Sequence, residues 1–326
     1  MKNANTLFNH NSSATAPRGN RIGLLTLIAL FVSSFAASAS AQWTLIPTSP
    51  AGVNLAGIQV GTQAWGRDAL GKVYEDLSGT FTLIDPSGTP DFAHVTVGLG
   101  KNPMWGLDTS GKSYYYNGSS FVNVPLPSGE TFTSIGAGGD GVWAVNSATG
   151  HVFEYNSPKN AWEAPSTGQP SEHLASIAAG NFAIGPWVLD SSNNAYLYNT
   201  RTGFFDGPIS GLPSGETVAA VAVGNGQTWV ISSASTDNVY VYDDNPAVEQ
   251  FYQPNPFALA TLSEISLSTD ENLWGVNSAG QVYLFNTSTI GFALTAQPPQ
   301  ATFEVKVGAA GVFALSEETG EVYQHE

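Results

Sequence analysis

A tryptophan in an apolar setting returns along this chain at Trp65, Trp105, Trp143, Trp187, Trp229 and Trp274, with Phe313 in the same role. The intervals are 40, 38, 44, 42, 45 and 39 residues. Self-similarity at such a period marks a repeat architecture, in which each unit buries its apolar face only against its neighbours. Six to eight residues after each aromatic stands Gly71, Gly111, Gly150, Asn193, Asp237, Gly280 or Gly320. These are residue types that tolerate positive φ, so the column predicts the turn of a tight hairpin. Three residues further on comes a second aromatic: Tyr74, Tyr114, Phe153, Tyr196, Tyr240, Tyr283 or Tyr323. The two aromatic columns therefore fall on the paired strands that flank the turn.

Two more strands complete the unit. Before each tryptophan runs an alternating apolar segment, as in Ile58 to Gly61, Val95 to Gly98 and Ile135 to Gly138, continuing at Ile177, Val221, Ile265 and Val305. Alternation at period two is a strand with one buried face. Each unit opens with an aromatic followed by proline, from Trp43 to Pro47 through Phe292 to Pro298. Proline cannot donate to a ladder, so this is an edge strand. Four short strands in about forty residues make a propeller blade. The fold class is all-β, a seven-bladed β-propeller of four-stranded antiparallel blades, with six blades plus a degenerate strand as the alternative. The repeats run at about 42–79, 80–119, 120–159, 160–202, 203–247, 248–289 and 290–326. After its first forty-one residues the chain opens with an outer strand at Trp43, and its last post-turn strand lies at Tyr323. The N-terminal strand is thus expected to complete the last blade and remove the free edges of an open array.

Composition narrows the function. Charged residues are 11% of the chain against roughly 25% in an average soluble protein, and the formal net charge is −16. No basic surface is available to neutralise phosphates, which argues against nucleic acid and anionic membranes as partners. There is no cysteine, hence no disulfide, thiolate metal site or cysteine nucleophile. Residues 1–41 read as a signal peptide: Lys2, Arg18 and Arg21, then an apolar run from Ile22 to Phe35, then Ala39-Ser40-Ala41. Cleavage is expected near Ala41-Gln42, which places a single domain of residues 42–326 in the periplasm or outside the cell without membrane insertion. Its net charge would be −19, because the leader carries three basic and no acidic residues.

The units resemble tectonin-type β-propeller repeats, the repeats of tectonins and fish-egg lectins. The resemblance rests on Trp274-Gly275-Val276-Asn277 with Gly280-Gln281-Val282-Tyr283, and on Trp143-Ala144-Val145-Asn146 with Val152-Phe153-Glu154-Tyr155. It implies glycan recognition at shallow sites between blades. Several units drift from the pattern, including Trp187-Val188-Leu189-Asp190 and Trp229-Val230-Ile231-Ser232.

A residue that recurs once per blade is core packing before it is chemistry, so the tryptophan column with Phe313 is assigned to the structural core. Ligand candidates are aromatics beside the columns: Tyr115 and Tyr116 after Tyr114, with Phe204 and Tyr252 next to Phe205 and Phe251. An aromatic face suits the apolar face of a sugar ring. Asn146 and Asn277, three residues after a tryptophan, are further candidates, although Asn and Asp there can instead cap the adjacent turn, as can Asp68, Asp108 and Asp190. Histidines 94, 151, 173 and 325 show no metal-ligand spacing, and His94 is placed to face a central channel. No metal, cofactor or catalytic residue is assigned. Carbohydrate recognition at a cell surface is the first reading, a protein–protein scaffold the second, and a propeller lyase or hydrolase the third.

Overall fold

The computed structural model describes residues 42–84, 88–98, 104–139, 141–166, 168–178, 185–224, 226–236, 238–244, 248–254, 261–267, 272–286 and 291–326. The leader, residues 1–41, lies outside them, as does Asp237 of the turn column. The strands form seven sheets ordered from axis to rim. Blade I comprises Leu55–Val60, Ala64–Asp68, Val73–Asp76 and Phe81–Leu83. Blade II comprises Phe92–Val97, Met104–Asp108, Ser113–Tyr116 and Phe121–Val124. Blade III runs Ser134–Gly138, Gly141–Asn146, His151–Asn156 and Ala161–Glu163. Blade IV runs Leu174–Ala178, Trp187–Asp190, Ala195–Asn199 and Phe204–Asp206. Blade V holds Val218–Gly224, Gln227–Ser232, Val239–Asp243 and Gln250–Tyr252. Blade VI holds Glu264–Leu267, Leu273–Val276, Val282–Asn286 and Gly291–Leu294. Blade VII holds Thr302–Gly308, Gly311–Ser316 and Val322–His325.

The fourth strand of blade VII is Trp43–Ile46 from the N-terminal end, antiparallel to Val322–His325 with Trp43 opposite His325 and Ile46 opposite Val322. The ring therefore closes as its strand order predicts. Beyond Pro47, Thr48–Ser49 adds a short parallel fifth strand to the outer strand of blade I, and Phe81 N–H donates to Pro47 C=O at 2.9 Å. The same N-terminal segment thus links the two blades that an open chain would leave apart. Among the described residues no helix is long and apolar enough to cross a membrane.

The core is divided among the seams between blades. Buried residues fall into seven clusters, each drawn from two adjacent blades, including one shared by blades VII and I. Seven seams for seven sheets is the count of a closed circle; an open array would have six. The tryptophan column fills these seams. Trp65, Trp105, Trp143, Trp187, Trp229, Trp274 and Phe313 are all buried. Six of the seven meet an aromatic ring at one repeated position of the following blade. The pairs are Trp65 with Tyr116, Trp105 with Tyr155, Trp143 with Tyr198, Trp187 with Tyr242, Trp229 with Phe285 and Trp274 with His325. Centroid separations of 4.5–5.6 Å suit tilted or edge-on aromatic pairing. At the last seam Phe313 meets Phe81 instead.

Two glycine positions follow from close approach. At Gly66 an added Cβ would lie 2.3 Å from Leu55 Cδ1, and at Gly275 it would lie 2.4 Å from Leu262 Cδ1. The Trp-Gly dipeptide leaves room for an aliphatic side chain laid over the second strand. Near the axis, a Cβ on Gly308 would lie 2.6 Å from Val60 C=O. There the backbones of blades VII and I pass too closely for any side chain.

Candidate functional site

The turn column settles what the polar residues after the tryptophans do. Asp108 Oδ1 accepts from the N–H groups of Ser110 (2.8 Å) and Lys112 (3.0 Å), and the Tyr114 hydroxyl donates to its other oxygen at 3.2 Å. Asp68 and Asp190 repeat the arrangement with Tyr74 and Tyr196. Burial pushes the Tyr74 hydroxyl up to about 12, with the charge of Asp68 and the bond to it acting in the same direction. Asn277 Oδ1 accepts from Ala279 and Gln281, while its amide donates to Gln281 Oε1. Asn146 Oδ1 accepts from Ala148, and its amide donates to Glu130, which also holds His151 Nδ1 at 2.7 Å. The polar atoms of Asn146 and Asn277 are thus engaged in shaping turns.

The aromatic candidates separate into two kinds. Tyr115 and Tyr116 are half-buried rather than presented on the surface. Tyr116 belongs to the repeated position that meets the preceding blade's tryptophan. Tyr115 points to the opposite face, where it packs against Trp105 (5.2 Å) and Tyr155 (6.4 Å). Alternation along the strand holds, but both faces of a blade are covered by its neighbours, so neither tyrosine gains a free face. Phe204 and Tyr252 differ: they are 58% and 45% exposed on the rim strands of blades IV and V. Phe204 borders a recess of about 270 Å³ together with Gln169, Pro170, Ser171 and Glu172.

A second polar cluster lies at the axis, and the reading of the repeats did not assign it. The seven inner strands surround a channel of about 280 Å³ lined mostly by Val, Ile, Ala and Gly. These strands are sheet edges, and their free N–H groups need acceptors. Side chains of the preceding blade supply them. Thr96 Oγ1 accepts from Ala137 N–H at 3.2 Å, Ser134 Oγ from Ile177 at 3.1 Å and Ser266 Oγ from Val307 at 3.0 Å. At two steps the acceptor is a carboxylate: Glu264 Oε2 takes Val305 N–H at 3.1 Å, and Glu304 Oε2 takes Ile58 N–H at 2.9 Å. Lys306 lies between them, bonded to Glu264 Oε1 and 3.3 Å from Glu304 Oε1. Burial, with the charge of Glu304, raises the Glu264 carboxyl to about 7 even though Lys306 opposes the shift. Burial alone would lower Lys306, but the two carboxylates outweigh it and hold the ammonium above its ordinary value.

Lys306 lines the channel; beside it, at one mouth, Glu264 and Glu304 line a recess of about 380 Å³ contributed by blades VI, VII, I and II. Its wall includes Gln59, Arg67, His94 and Phe303. A bulge builds this wall. In five blades the inner strand slips register near its start, between Leu55 and Gly57, Phe92 and His94, Leu174 and Ser176, Val218 and Ala220, and Thr302 and Glu304. The extra residue of a bulge leaves the ladder and re-aims the side chains beside it. His94 and Glu304 follow a bulge directly, and Phe303, 38% exposed, is itself the extra residue. His94 is lowered by burial first and by the charge of Arg67 second. The signal for this cluster was present in the repeats: the residue before the apolar pair is Gly57, Ser134, Ser176 or Ala220 in four blades, but His94, Glu264 and Glu304 in the others. Alternation places this column on the strand face opposite Ile58, Val95 and Val305. For His94 the central channel was the expected neighbour; only the ring shows that Glu264 and Glu304 join it there, each reaching the inner strand of the next blade.

Among the described residues no group of three or more His, Cys, Asp or Glu side chains is placed to hold a metal ion. Neither a protein-family model nor a curated protein matches the sequence. The tectonin-type resemblance accordingly rests on its motifs alone. Solved structures do match over the ring. YCF48 from Cyanidioschyzon merolae superposes with a TM-score of 0.62 at 12% identity, covering 87% of this chain and 98% of that one. A structure of YCF48 bound to D1 peptide gives 0.61 at 12% identity over 87% and 94%. The Pan2 WD40 domain of Neurospora crassa gives 0.62 at 12% over 86% and 94%. Prp20p from Saccharomyces cerevisiae, described with its binding to Gsp1p and histones, gives 0.58 at 11% over 82% of each chain. Identities this low speak for architecture alone, and on that architecture the seams, the strand order and the superpositions agree: the chain is a seven-bladed β-propeller.

Proposed function

We propose that this propeller is an exported recognition module that binds an extended segment of a partner protein at the channel mouth and carries out no reaction there. The observation that supports the reading most is the recess itself. Four blades bring two carboxylates, a guanidinium, an imidazole and an exposed phenylalanine to one opening, with the Lys306 ammonium bonded to the carboxylates from the channel. Such a mixture of charge and apolar surface suits a peptide, with a few polar groups fixing its orientation. YCF48 is solved bound to D1 peptide, and Prp20p is described with its binding to Gsp1p and histones, so rings of this architecture bind protein partners in those proteins. The export signal in residues 1–41 supports a partner beyond the cytoplasmic membrane.

The test is a synthetic octapeptide library screened on the purified chain, with hits retested by calorimetry against Phe303→Ala and Phe204→Ala. Affinity lost in Phe303→Ala and kept in Phe204→Ala is the expected result. The reverse pattern, or a library without a hit, rejects mouth binding. Glycan recognition is the second reading, favoured by one feature: the ring of Phe204 lies open beside Ser171 and Glu172 on the outer wall. Binding on a glycan array that disappears in Phe204→Ala would select it.

A further inference from the structure

We propose that the mouth recess binds a carboxylate of the partner chain on Arg67, flanked by His94 and Gln59, with Phe303 against the apolar part next to it. The inference rests on the mouth-binding reading and names the chemistry that reading leaves open.

Arg67 is the first reason. It stands two residues after Trp65, a position occupied in the other repeats by Leu107, Val145, Leu189, Ile231, Val276 and Leu315. Leu107, Val145, Ile231, Val276 and Leu315 are 0–2% exposed. One blade has therefore replaced a core aliphatic with a cation, a change that sacrifices apolar burial. Phe303 is a second departure. The other bulge residues are Ala56, Ala93, Ala175 and Ala219, and only blade VII places a phenylalanine there. Both departures open into the same recess.

The charges around Arg67 are the second reason. The chain has 26 acidic and 10 basic residues, yet among the described residues Arg67 has no ion pair. One Nη donates to Asp68 C=O at 3.2 Å, and the Asp68 carboxylate is engaged by its own turn and by Tyr74. The nearby Glu264 and Glu304 are engaged by Lys306 and by backbone N–H groups. Lys72 and Lys159 have partners as well, Asp91 and Glu163. Lys112 and Arg201 also lack an ion pair among the described residues, but both are exposed to solvent, whereas Arg67 is a half-buried guanidinium in a recess, built to receive an anion. Its planar fork matches a carboxylate through two parallel bonds. The net charge of −16 disfavours multiply charged phosphate groups and tolerates one carboxylate.

Each library peptide is made as the free acid and as the C-terminal amide, with Asp→Asn and Glu→Gln versions of the hits, and titrated into the full chain and into Arg67→Gln and Arg67→Lys. Hits should lose about tenfold or more in affinity when the responsible carboxylate is neutralised. The terminal and side-chain arms identify which carboxylate it is. Arg67→Gln should abolish that discrimination, and Arg67→Lys should keep part of it, because the charge stays while the fork is lost. Matched thermal melts establish that the variants fold. Peptides that bind equally as acid and amide, with Arg67→Gln unchanged, overturn the carboxylate site while mouth binding stands. A library without hits, together with Arg67-dependent binding of oligogalacturonate, keeps the anion site and overturns the peptide. Failure of both probes overturns both.

Discussion

Lys306→Met tests the electrostatics of the axis. The substitution keeps the length of the side chain and removes the one ammonium between Glu264 and Glu304. Removing one partner of a buried ion pair costs about 3–5 kcal/mol, because the remaining charge is left uncompensated. Here the three side chains are 14–22% exposed, and solvent reduces the expected cost to about 2–4 kcal/mol. Guanidinium unfolding followed by tryptophan fluorescence would measure it. The triple variant Lys306→Met, Glu264→Gln, Glu304→Gln supplies the control. Glutamine keeps an oxygen to accept from Val305 and Ile58 N–H while removing both charges, so stability should return to within about 1 kcal/mol of the original. The pH dependence follows from Glu264, whose folded carboxyl is raised to about 7. A raised carboxyl contributes stability that is full below its unfolded value near 4.5 and is lost as pH climbs through about 7. Without Lys306 that loss should steepen, so the single variant should be least impaired near pH 5. A cost below about 0.5 kcal/mol at pH 7, or a triple variant no better than the single, would refute the argument that charge compensation holds this seam.

Three further outcomes follow. Trp43→Ala should cost about 3–5 kcal/mol, since the ring is 6% exposed, packs on His325 and Trp274, and donates to Ala296 C=O at 2.7 Å; thermal melting measures this, and light scattering should detect self-association through the freed edge of blade VII. Gly308→Ala should lose about 1–3 kcal/mol from backbone overlap, whereas Gly57→Ala, whose nearest obstacle is Glu304 Oε2 at 3.8 Å, should stay within about 1 kcal/mol. Asp108→Ala should cost about 1–3 kcal/mol. Burial alone would raise this carboxyl, but its bonds to Ser110, Lys112 and Tyr114 hold it below its ordinary value. Its contribution is therefore present above pH 3.8 and lost as pH falls through the lower folded value, so the variant and the original should converge in acid.

The sequence by itself determined the architecture, because a blade too small to bury its own tryptophan must repeat, and the repetition is visible as columns. The turn at Gly71 or Asn193 and the strand that starts at Trp43 and completes blade VII are legible in the sequence alone. Local chemistry decides such features: positive φ, period-two alternation and a missing proline donor. Which faces are free was decided only by the closed ring. Tyr115 alternates as expected, yet its outward face meets Tyr155 of the next blade. Tyr116 reads as an extra aromatic until the seam pairs it with Trp65. The mouth recess joins Arg67 and Gln59 to Glu264 and Glu304, and through their ion pairs to Lys306, residues up to 247 positions apart. The repeat puts Glu264 and Glu304 in one column, but it does not show that Arg67 and Gln59 meet them. Closure through the N-terminal strand brings the first and last blades side by side around the axis, and only there do the isolated departures from the repeat become one site.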